Sequence, residues 1–198
     1  MIKVGLTGNI GSGKSTVCKI FELLDVPVFY SDREAKKLYS RADVKEQLEH
    51  QFGKSVFNSS YHVEFKKLAA IIFSNKKSLE FVNHLIHPLV FELYDQWLIQ
   101  HKNSSYTVHE SAILYEHHLE NKFDKNIVVY CPEQIRLNRV MNRDNVIEQE
   151  VKKRMTNQMA DDLKNKQADF IIINDGVEMV VPQVMEINSR LRGTIITS

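Results

Sequence analysis

The feature that most restricts how this chain can fold is a glycine-rich segment near its amino terminus. Residues 8–15 read Gly-Asn-Ile-Gly-Ser-Gly-Lys-Ser and match the pattern G-x-x-x-x-G-K-[ST]. The apolar run from Ile2 to Thr7 predicts a buried strand before this segment, and residues 15–24 predict a helix after it. This succession is typical of a loop whose backbone N–H groups bind phosphate. A glycine-rich turn that only connects strand and helix is disfavoured, because the whole pattern matches between the right flanks.

Different parts of this loop are expected to contact different parts of a bound nucleotide. Lys14 is predicted to bridge the β- and γ-phosphates of ATP, and the Ser15 hydroxyl to ligate Mg²⁺, which prefers hard oxygen ligands. The helix that begins near Lys14 directs the positive end of its dipole toward the phosphates. The predicted ATP-binding residues of the segment are Gly8, Asn9, Ile10, Gly11, Ser12, Gly13, Lys14, Ser15 and Thr16.

Strand-like and helix-like segments alternate along the rest of the chain. Helix breaks are expected at Gly53, at residues 58–60 and at His87-Pro88. The alternation predicts the three-layer α/β/α fold of P-loop NTPases, with a mostly parallel five-stranded sheet. The predicted strands are 2–7, 26–30, 106–109, 125–130 and 168–173, and the predicted helical segments are 15–24, much of 33–100, 133–166 and 179–190.

The same pattern predicts how the chain is divided into domains. Residues 1–32, 104–132 and 167–198 are expected to form a nucleotide-binding α/β core. Residues 33–103 are expected to form a helical subdomain between two strands, and residues 133–166 a helical lid.

The composition argues against several classes of partner. The chain has 26 Lys and Arg residues against 25 Asp and Glu residues, so no global field favours nucleic acid or an anionic membrane. Its two cysteines, without CxxC spacing, fit a reducing compartment. The first residues lack the pattern of a signal peptide, and no apolar run approaches the roughly 20 residues of a membrane-spanning helix. We therefore expect a cytoplasmic protein with small-molecule ligands, whose oligomeric state the sequence does not indicate.

A regulatory GTPase is the competing class of phosphate-loop protein. The chain contains no Asp-x-x-Gly sequence, and its nearest approach to Asn-Lys-x-Asp, residues 165–169, is one residue too long. The residues therefore favour an ATP-dependent kinase that transfers the terminal phosphoryl group to a small-molecule hydroxyl. These residues do not identify the small molecule that is phosphorylated. A non-catalytic nucleotide switch also stays an alternative at this point.

Two acidic residues follow predicted strands, at the sheet edge where ligands bind in such folds. Asp32, just after residues 26–30, is either the carboxylate at the acceptor hydroxyl or the N-cap of the next helix, and the two roles are compatible. Glu110, just after residues 106–109, either polarises water around Mg²⁺ or is a solvated strand end.

Arginines and histidines supply two further candidate groups. Arg136, Arg139 and Arg143 share one helical face, from which Arg139 and Arg143 either close over the transferred phosphate or lie in solvent. His84 and His87 have the helical spacing of metal ligands, but without a third ligand a packed or capping pair is the favoured interpretation.

Several short sequences occur in the order that is typical of one kinase family. These sequences are Leu6-Thr7-Gly8, Ser31-Asp32, His87-Pro88, the run Ala112 to Glu116, the run Arg139 to Asp144, Arg154, Gln158 and the run Ala168 to Gly176. Over nearly its whole length the chain therefore resembles the dephospho-coenzyme A kinase family, and this combination is far more specific than the phosphate loop alone.

The resemblance implies a reaction and roles for individual residues. The family uses Mg-ATP to phosphorylate the ribose 3′-hydroxyl of dephospho-coenzyme A, the last step of coenzyme A synthesis, and residues 33–103 would bind that acceptor. Asp32 would be the base or the orienter of the hydroxyl, with Lys14 and Arg139 as the other catalytic residues. The remaining implied contacts are Thr7 and His87 with the acceptor, Arg143 with the phosphates and Asn174 with the adenine side of ATP.

The chain departs from the family pattern at three positions. Asn9 stands where the family usually has the second glycine of the loop, Ala112 where it has a proline, and Arg136 where it has a glutamine of the lid. Asn9 occupies a spacer position of the pattern, and Asn tolerates a positive φ better than most residues. We therefore expect the loop to keep its shape, whereas the pattern does not predict the contacts of Ala112 and Arg136.

Overall fold

The computed structural model describes residues 1–193, with Phe73 described by its backbone only. The predicted strands meet in one sheet. The strands of this part of the chain are β1 (Ile2–Thr7), β2 (Val28–Tyr30), β3 (Tyr106–Glu110), β4 (Lys125–Tyr130) and β5 (Phe170–Ile173). Their order is β2-β3-β1-β4-β5, and every neighbouring pair is parallel. Leu6 is level with Glu110 in the register, and Glu110 with Tyr30, so these strands end at one edge. The predicted α/β fold is confirmed.

The described residues form two compact units. One unit consists of residues 1–30 and 101–193 and contains the sheet, and the other is Ser31–Gln100. Short 3₁₀ helices lie at Lys54–Val56 and Glu120–Lys122. The α-helices, in chain order, are α1 (Lys14–Leu23), α2 (Ser31–Leu38), α3 (Ala42–Phe52), α4 (Phe65–Ser74), α5 (Lys76–Gln100), α6 (Glu133–Asp144), α7 (Glu148–Met155), α8 (Asp161–Gln167) and α9 (Val180–Arg192).

The core of the first unit surrounds the central strand β1. Val4 and Leu6 are fully buried, as expected for a parallel strand that is covered on both faces. Helices α1 and α9 contribute apolar side chains at helical spacing to the same core. These side chains are Val17, Cys18 and Phe21 from α1 and Val184, Ile187 and Leu191 from α9. Strand β1, which leads into the phosphate loop, is therefore fixed by β3 and β4 on its edges and by the apolar core that α1 and α9 share.

A histidine is packed among aromatic rings next to β1. The His109 ring stacks on Phe29 at a centroid distance of 5.2 Å and lies 5.0 Å from the Phe123 ring. Burial lowers the pKa of His109 to about 3, because the charged imidazolium would lose its hydration there. His109 is therefore a neutral core residue at pH 7.

The second unit is a bundle of helices α2 to α5. The rings of Tyr39 and Phe65 pack edge to face at 5.1 Å, which joins the turn after α2 to the start of α4. The predicted break at Gly53 is confirmed, because α3 ends there and Gly53 has a φ of 71°. No helix within residues 1–193 combines the length and apolar character that a membrane span requires.

The helix break predicted at His87-Pro88 is wrong. Helix α5 runs through Pro88 and spans 25 residues. A proline in a helix interior removes one backbone hydrogen bond, and tertiary packing of the flanking turns offsets this loss. The buried side chains along α5 on both sides of the proline are Ser78, Val82, Ile86, Val90 and Tyr94.

The carboxyl-terminal third differs from expectation in its details. The helix-favouring segment 133–166 forms three helices, and α6 ends before Asn145, whose left-handed φ of 52° suits a C-cap. Strand β5 begins two residues later than predicted, because the Asp169 carboxylate accepts hydrogen bonds from Asn126 N and Lys125 Nζ, each at 2.8 Å. The predicted core segment 167–198 includes residues 194–198, which lie outside the described residues.

We expect acid to destabilise the first unit through His109. In the unfolded chain the imidazole takes up a proton as the pH falls below about 6.5, whereas the buried ring stays neutral down to a pH of about 3. The unfolded state binds more protons in this window, so the free energy of unfolding should fall by up to roughly 1.4 kcal/mol per pH unit. Urea unfolding of the wild type and of His109→Phe, at about pH 7 and about pH 4.5, measures the difference. Equal losses in both proteins would contradict this expectation.

Candidate active site

The phosphate loop is a tight turn that only glycine can make at two positions. Gly11 and Gly13 have φ values of 80° and 97°. A Cβ on Gly11 would lie 2.7 Å from the backbone oxygen of Arg136, and a Cβ on Gly13 would overlap Nδ2 of Asn174. Both the backbone conformation and the close neighbours therefore exclude a side chain.

The loop presents N–H groups and one ammonium group at the start of α1. Within residues 1–193, the backbone N–H groups of Gly11, Gly13 and Ser15 donate to no protein atom. The Lys14 ammonium lies across the loop and donates to the backbone oxygen of Gly8 at 2.8 Å. Oriented N–H groups, a cation and the amino end of a helix together form a site for an anion.

A buried carboxylate lies near this helix start. Glu110 belongs to β3 and is only 9% exposed, so its interpretation as a solvated strand end is wrong. Burial raises the pKa of the Cys18 thiol in α1, with a further rise from Glu110 and an opposing effect from Lys14. Both charges therefore act on the first turns of α1, and the role of Glu110 at Mg²⁺ stays a prediction.

The arginines of α6 do not share one solvated face, because Arg136 is buried. Its side chain is 3% exposed, Nε donates to the backbone oxygen of Cys131 at 2.8 Å, and Nη2 donates to Asp161 Oδ2 at 2.6 Å. Arg136 thus joins the end of β4 to the start of α8. The sequence left its contacts open, since a helical face does not reveal a partner 25 residues away.

Arg139 and Arg143 lie in different surroundings, although both were predicted to face the phosphates. The Arg139 guanidinium is 3.5 Å from the Gly11 oxygen and 3.5 Å from Asn174 Oδ1, so it lies against the loop. Arg143 donates to the Asp144 carboxylate at 2.7 Å and holds the pKa of that carboxyl below its usual range. The structure therefore brings Arg139 to the loop and pairs Arg143 with its neighbour in α6.

Asn174 braces the loop from the end of β5. Its Nδ2 donates to the Ser12 oxygen at 2.8 Å, and its backbone N–H donates to the Tyr130 oxygen at 2.9 Å. The following Asp175 carboxylate accepts from two backbone N–H groups of the next turn, which lowers the pKa of Asp175. Asn174 was predicted on the adenine side of ATP, and its contact with the loop backbone was not foreseen.

Asn9 is held by its side chain and not by an unusual backbone. The explanation that Asn9 tolerates a positive φ is wrong, because the non-glycine residues with positive φ in the described chain are Asp25, Tyr61, His118 and Asn145. Instead, Asn9 Nδ2 donates to Asp161 Oδ1 at 2.8 Å and to the Met159 oxygen at 3.1 Å. Next to it, the N–H of Ile10 donates to Gln158 Oε1 at 2.8 Å. The segment between α7 and α8 therefore lies directly on the loop.

A buried ion pair contacts the segment between α7 and α8 and holds it in place. Lys164 of α8 is fully buried, and its ammonium lies 2.7 Å from Glu116 Oε1, which also accepts from the backbone N–H of Met159 at 3.0 Å. A lysine in a polar helix gives no sequence signal of burial, so Lys164 was missed. Glu116, whose role the sequence left open, is an anchor for the segment that contacts the loop.

Three further predicted residues have less defined surroundings. Thr7 ends β1 fully buried, and Asp32 lies in the first turn of α2, which begins at Ser31 directly after β2. The N-cap interpretation of Asp32 gains no support, because Asp32 lies inside α2 and an N-cap residue precedes the first helical residue. His87 lies within α5 and is half-buried.

The metal-ligand interpretation of the histidines of α5 gains no support. His84 Nδ1 lies 2.7 Å from the backbone oxygen of Glu80, one turn earlier in the same helix. The part of the chain that the structure describes holds no group of three or more His, Cys, Asp or Glu side chains placed to bind a metal ion.

We expect Asn174→Ala to weaken the binding of ATP. The substitution removes the hydrogen bond to Ser12 and leaves that loop carbonyl without its side-chain donor, a loss of about 1 kcal/mol or roughly 5-fold in affinity. Calorimetric titration with Mg-ATP measures the change, and Asn103→Ala, in an exposed turn, is the control. An Asn174→Ala protein with the affinity of the wild type would show that the brace is not needed.

Known proteins resemble this chain along most of its length. The family model described as Dephospho-CoA kinase (CoaE) matches residues 2–179. A dephospho-CoA kinase of Bacteroides fragilis strain YCH46 is 36% identical over 187 residues, which cover 94% of this chain and 91% of that protein. The dephospho-CoA kinase of Aquifex aeolicus strain VF5 is 30% identical over 193 residues, 96% of this chain and 98% of that protein.

Solved structures agree with the sequence relatives. The crystal structure of a Thermus thermophilus protein gives a TM-score of 0.87 at 27% identity, covering 100% of this chain and 98% of that chain. The dephospho-CoA kinase of Campylobacter jejuni gives 0.69 at 25% identity, covering 96% and 98%. A shikimate kinase from Acinetobacter baumannii, at 0.56 and 13% identity over 100% and 96%, shares the fold alone. With the braced phosphate loop in place and the family pattern matched over residues 2–179, the chain belongs to the dephospho-CoA kinase family.

Proposed function

We propose that this chain uses ATP to phosphorylate the ribose 3′-hydroxyl of dephospho-coenzyme A, giving coenzyme A and ADP in the final step of coenzyme A synthesis. The observation that carries the proposal is the loop from Gly8 to Ser15, an anion site in a chain that matches the family over residues 2–179. Membership of the family supports ATP as the donor and dephospho-CoA as the acceptor.

Lys14, Arg139 and the loop N–H groups would stabilise the charge on the transferred phosphoryl group. Because the transition state of phosphoryl transfer is loose in most analyses, the protein mainly positions the reactants and neutralises charge. The N–H groups of Gly11 and Gly13 are held in place by the loop conformation, so they need little reorganisation during transfer. Lys14 would exchange the Gly8 oxygen for phosphate oxygens, and Arg139 already lies against the same loop.

The residues beside the loop fit a bound Mg²⁺. Ser15 is an exposed residue at the start of α1, and Glu110 is the last residue of β3. Both are hard oxygen donors of the kind that Mg²⁺ prefers. We assign Ser15 as a ligand and Glu110 as a residue that orients water around the ion, which when bound would offset charge on the β- and γ-phosphates.

Asp32 would orient the acceptor hydroxyl and accept its proton. Its place in the first turn of α2, immediately after β2, supports this role, because polar groups that follow parallel strands form the ligand sites of such folds. Thr7 and His87 would contact the acceptor, and Arg143 the phosphates. Residues 33–103 would bind the coenzyme A side, and residues 133–166 would act as a lid that keeps water from the γ-phosphate.

The reaction is tested by measuring ADP formation with a panel of acceptors. Dephospho-CoA should support turnover and gain the mass of one phosphoryl group, whereas shikimate and nucleosides should not. Phosphate placed on another hydroxyl of dephospho-CoA would contradict the 3′ assignment, and fragment masses locate it. Turnover with shikimate or a nucleoside, and none with dephospho-CoA, would identify a different small-molecule kinase. ATP binding without turnover would indicate a nucleotide switch.

Lys14→Ala should abolish turnover and weaken the binding of Mg-ATP. The ammonium group is the cation of the loop, and its loss leaves the phosphate charge less neutralised in both the bound state and the transition state. The fold should survive, because Lys14 lies at the start of α1 and not in the buried core. Calorimetry and circular dichroism check the two statements, and unchanged ATP affinity would count against the assignment of the loop.

Asp32→Asn should lower kcat by roughly 10²- to 10⁴-fold, the usual contribution of a general base. Asparagine keeps the shape of the side chain but cannot accept the proton. The affinity for Mg-ATP should stay close to that of the wild type, since Asp32 is assigned to the acceptor. Steady-state kinetics together with ATP titrations measure this split, and Glu186→Gln, an exposed acid of α9, is the control. Full turnover by Asp32→Asn would show that Asp32 has no catalytic role and is only an acidic residue in the first turn of α2.

A further inference from the structure

One carboxylate joins the phosphate loop to α6. Asp161, at the start of α8, accepts from Asn9 Nδ2 at 2.8 Å through Oδ1 and from Arg136 Nη2 at 2.6 Å through Oδ2. Its two partners are almost completely buried, with exposures of 4% for Asn9 and 3% for Arg136. Both oxygens of a single side chain are thus used, one on the loop and one on a buried cation.

The electrostatics of this arrangement require all three side chains. A buried guanidinium needs a counter-charge, and the Asp161 carboxylate is its ionic partner in the described part of the chain. The ion pair keeps Asp161 in place, and the Arg136 bond to the Cys131 oxygen fixes the pair to the end of β4. Asn9 then receives an acceptor whose position is set by the core rather than by solvent.

Asn9 and Ile10 are the loop residues that this arrangement controls. Asn9 binds Asp161 and the Met159 oxygen, and the N–H of Ile10 binds Gln158. Both residues precede Gly11, where the backbone turns with a φ of 80°. A change in the direction of Asn9 would therefore change the direction of every N–H group that follows it in the loop.

Asn9 and Arg136 meet at this carboxylate, because both donate to Asp161. A glycine at position 9 would have no side chain to reach Asp161, so the contact depends on the asparagine. The two side chains are therefore physically linked through a third residue.

We propose that Asp161 is a positioning residue for ATP: through Asn9 it holds the phosphate loop in its binding conformation, while it neutralises Arg136. The inference rests on the proposed function only in that the loop binds ATP. Without the carboxylate, the loop samples other conformations, so the affinity for Mg-ATP and kcat fall together. The KM for dephospho-CoA is unaffected, because no acceptor contact changes.

Asp161→Ala and a matched control test the proposal. Mg-ATP titration of Asp161→Ala by calorimetry should show affinity lower by about 10-fold, the equivalent of one hydrogen bond to a charged group. Glu186→Ala removes an exposed carboxylate from α9, outside residues 133–166, and should bind ATP like the wild type. The KM values for ATP and dephospho-CoA are measured in parallel, and only the former should rise.

A second set of variants separates positioning from stability. Asp161→Ala leaves Arg136 buried without its counter-charge, so its melting temperature should fall. Adding Arg136→Gln removes that charge and keeps an amide near the Cys131 oxygen, so the double variant should regain much of the melting temperature but not the ATP affinity. Asn9→Ala should weaken ATP binding by itself, and its effect should be less than additive with that of Asp161→Ala, because both remove the Asn9–Asp161 hydrogen bond and only the Asn9 contact with the Met159 oxygen is lost in addition.

The affinities and melting temperatures of these variants distinguish a positioning role of Asp161 from a structural one. ATP affinity that recovers together with melting temperature would show a merely structural role, and additive effects of Asn9→Ala and Asp161→Ala would show that Asp161 does not act through Asn9. Either result overturns the proposal. A wild type that binds Mg-ATP but does not phosphorylate dephospho-CoA would contradict the proposed function alone, since the affinities still decide the role of Asp161. A wild type that does not bind Mg-ATP would overturn both.

Discussion

The turn from β1 into α1 is the constraint on which the rest of the first unit depends. A phosphate site made of backbone N–H groups requires those groups to point toward one region, and the φ values of Gly11 and Gly13 are strained for any residue with a side chain. Strand β1 is buried by its neighbours, so the loop leaves a rigid element and enters a helix with a fixed start. The direction of the N–H groups is therefore set by the fold before a ligand arrives.

Polar side chains from distant parts of the chain hydrogen-bond to this turn and hold it in place. Asn174 binds the loop oxygen of Ser12, and the Asp161 carboxylate binds Asn9, so the loop is braced from β5 and from α8. The same region contains the ion pair of Lys164 with Glu116, both largely removed from water. Apolar packing tolerates small shifts, whereas a buried charge or amide has a steep cost when it loses its partner. These contacts therefore fix the loop more sharply than the apolar core could.

The two units carry different parts of the assigned chemistry. The sheet and α1 belong to a fold that is also present in a shikimate kinase of only 13% identity. Ser31–Gln100 lies between β2 and β3 in the chain and contains Asp32 and His87, which are proposed to contact the acceptor. An insertion after a parallel strand can vary without disturbing the sheet.

The sequence by itself determined the parallel sheet, the loop between Ile2–Thr7 and α1, and the family, because apolar periodicity and glycine spacing are local signals within a few residues. The same local logic went wrong at Pro88, where packing along α5 outweighs one lost hydrogen bond. Only the tertiary structure decided that Arg136 is buried, that Asn9 is held by Asp161, and that Asn174 braces the loop. Asn9 and Asp161 are 152 residues apart, and Asn174 and Ser12 are 162 apart. Pairing between polar side chains at such separations leaves no local pattern, since it depends on where the folded chain places each partner.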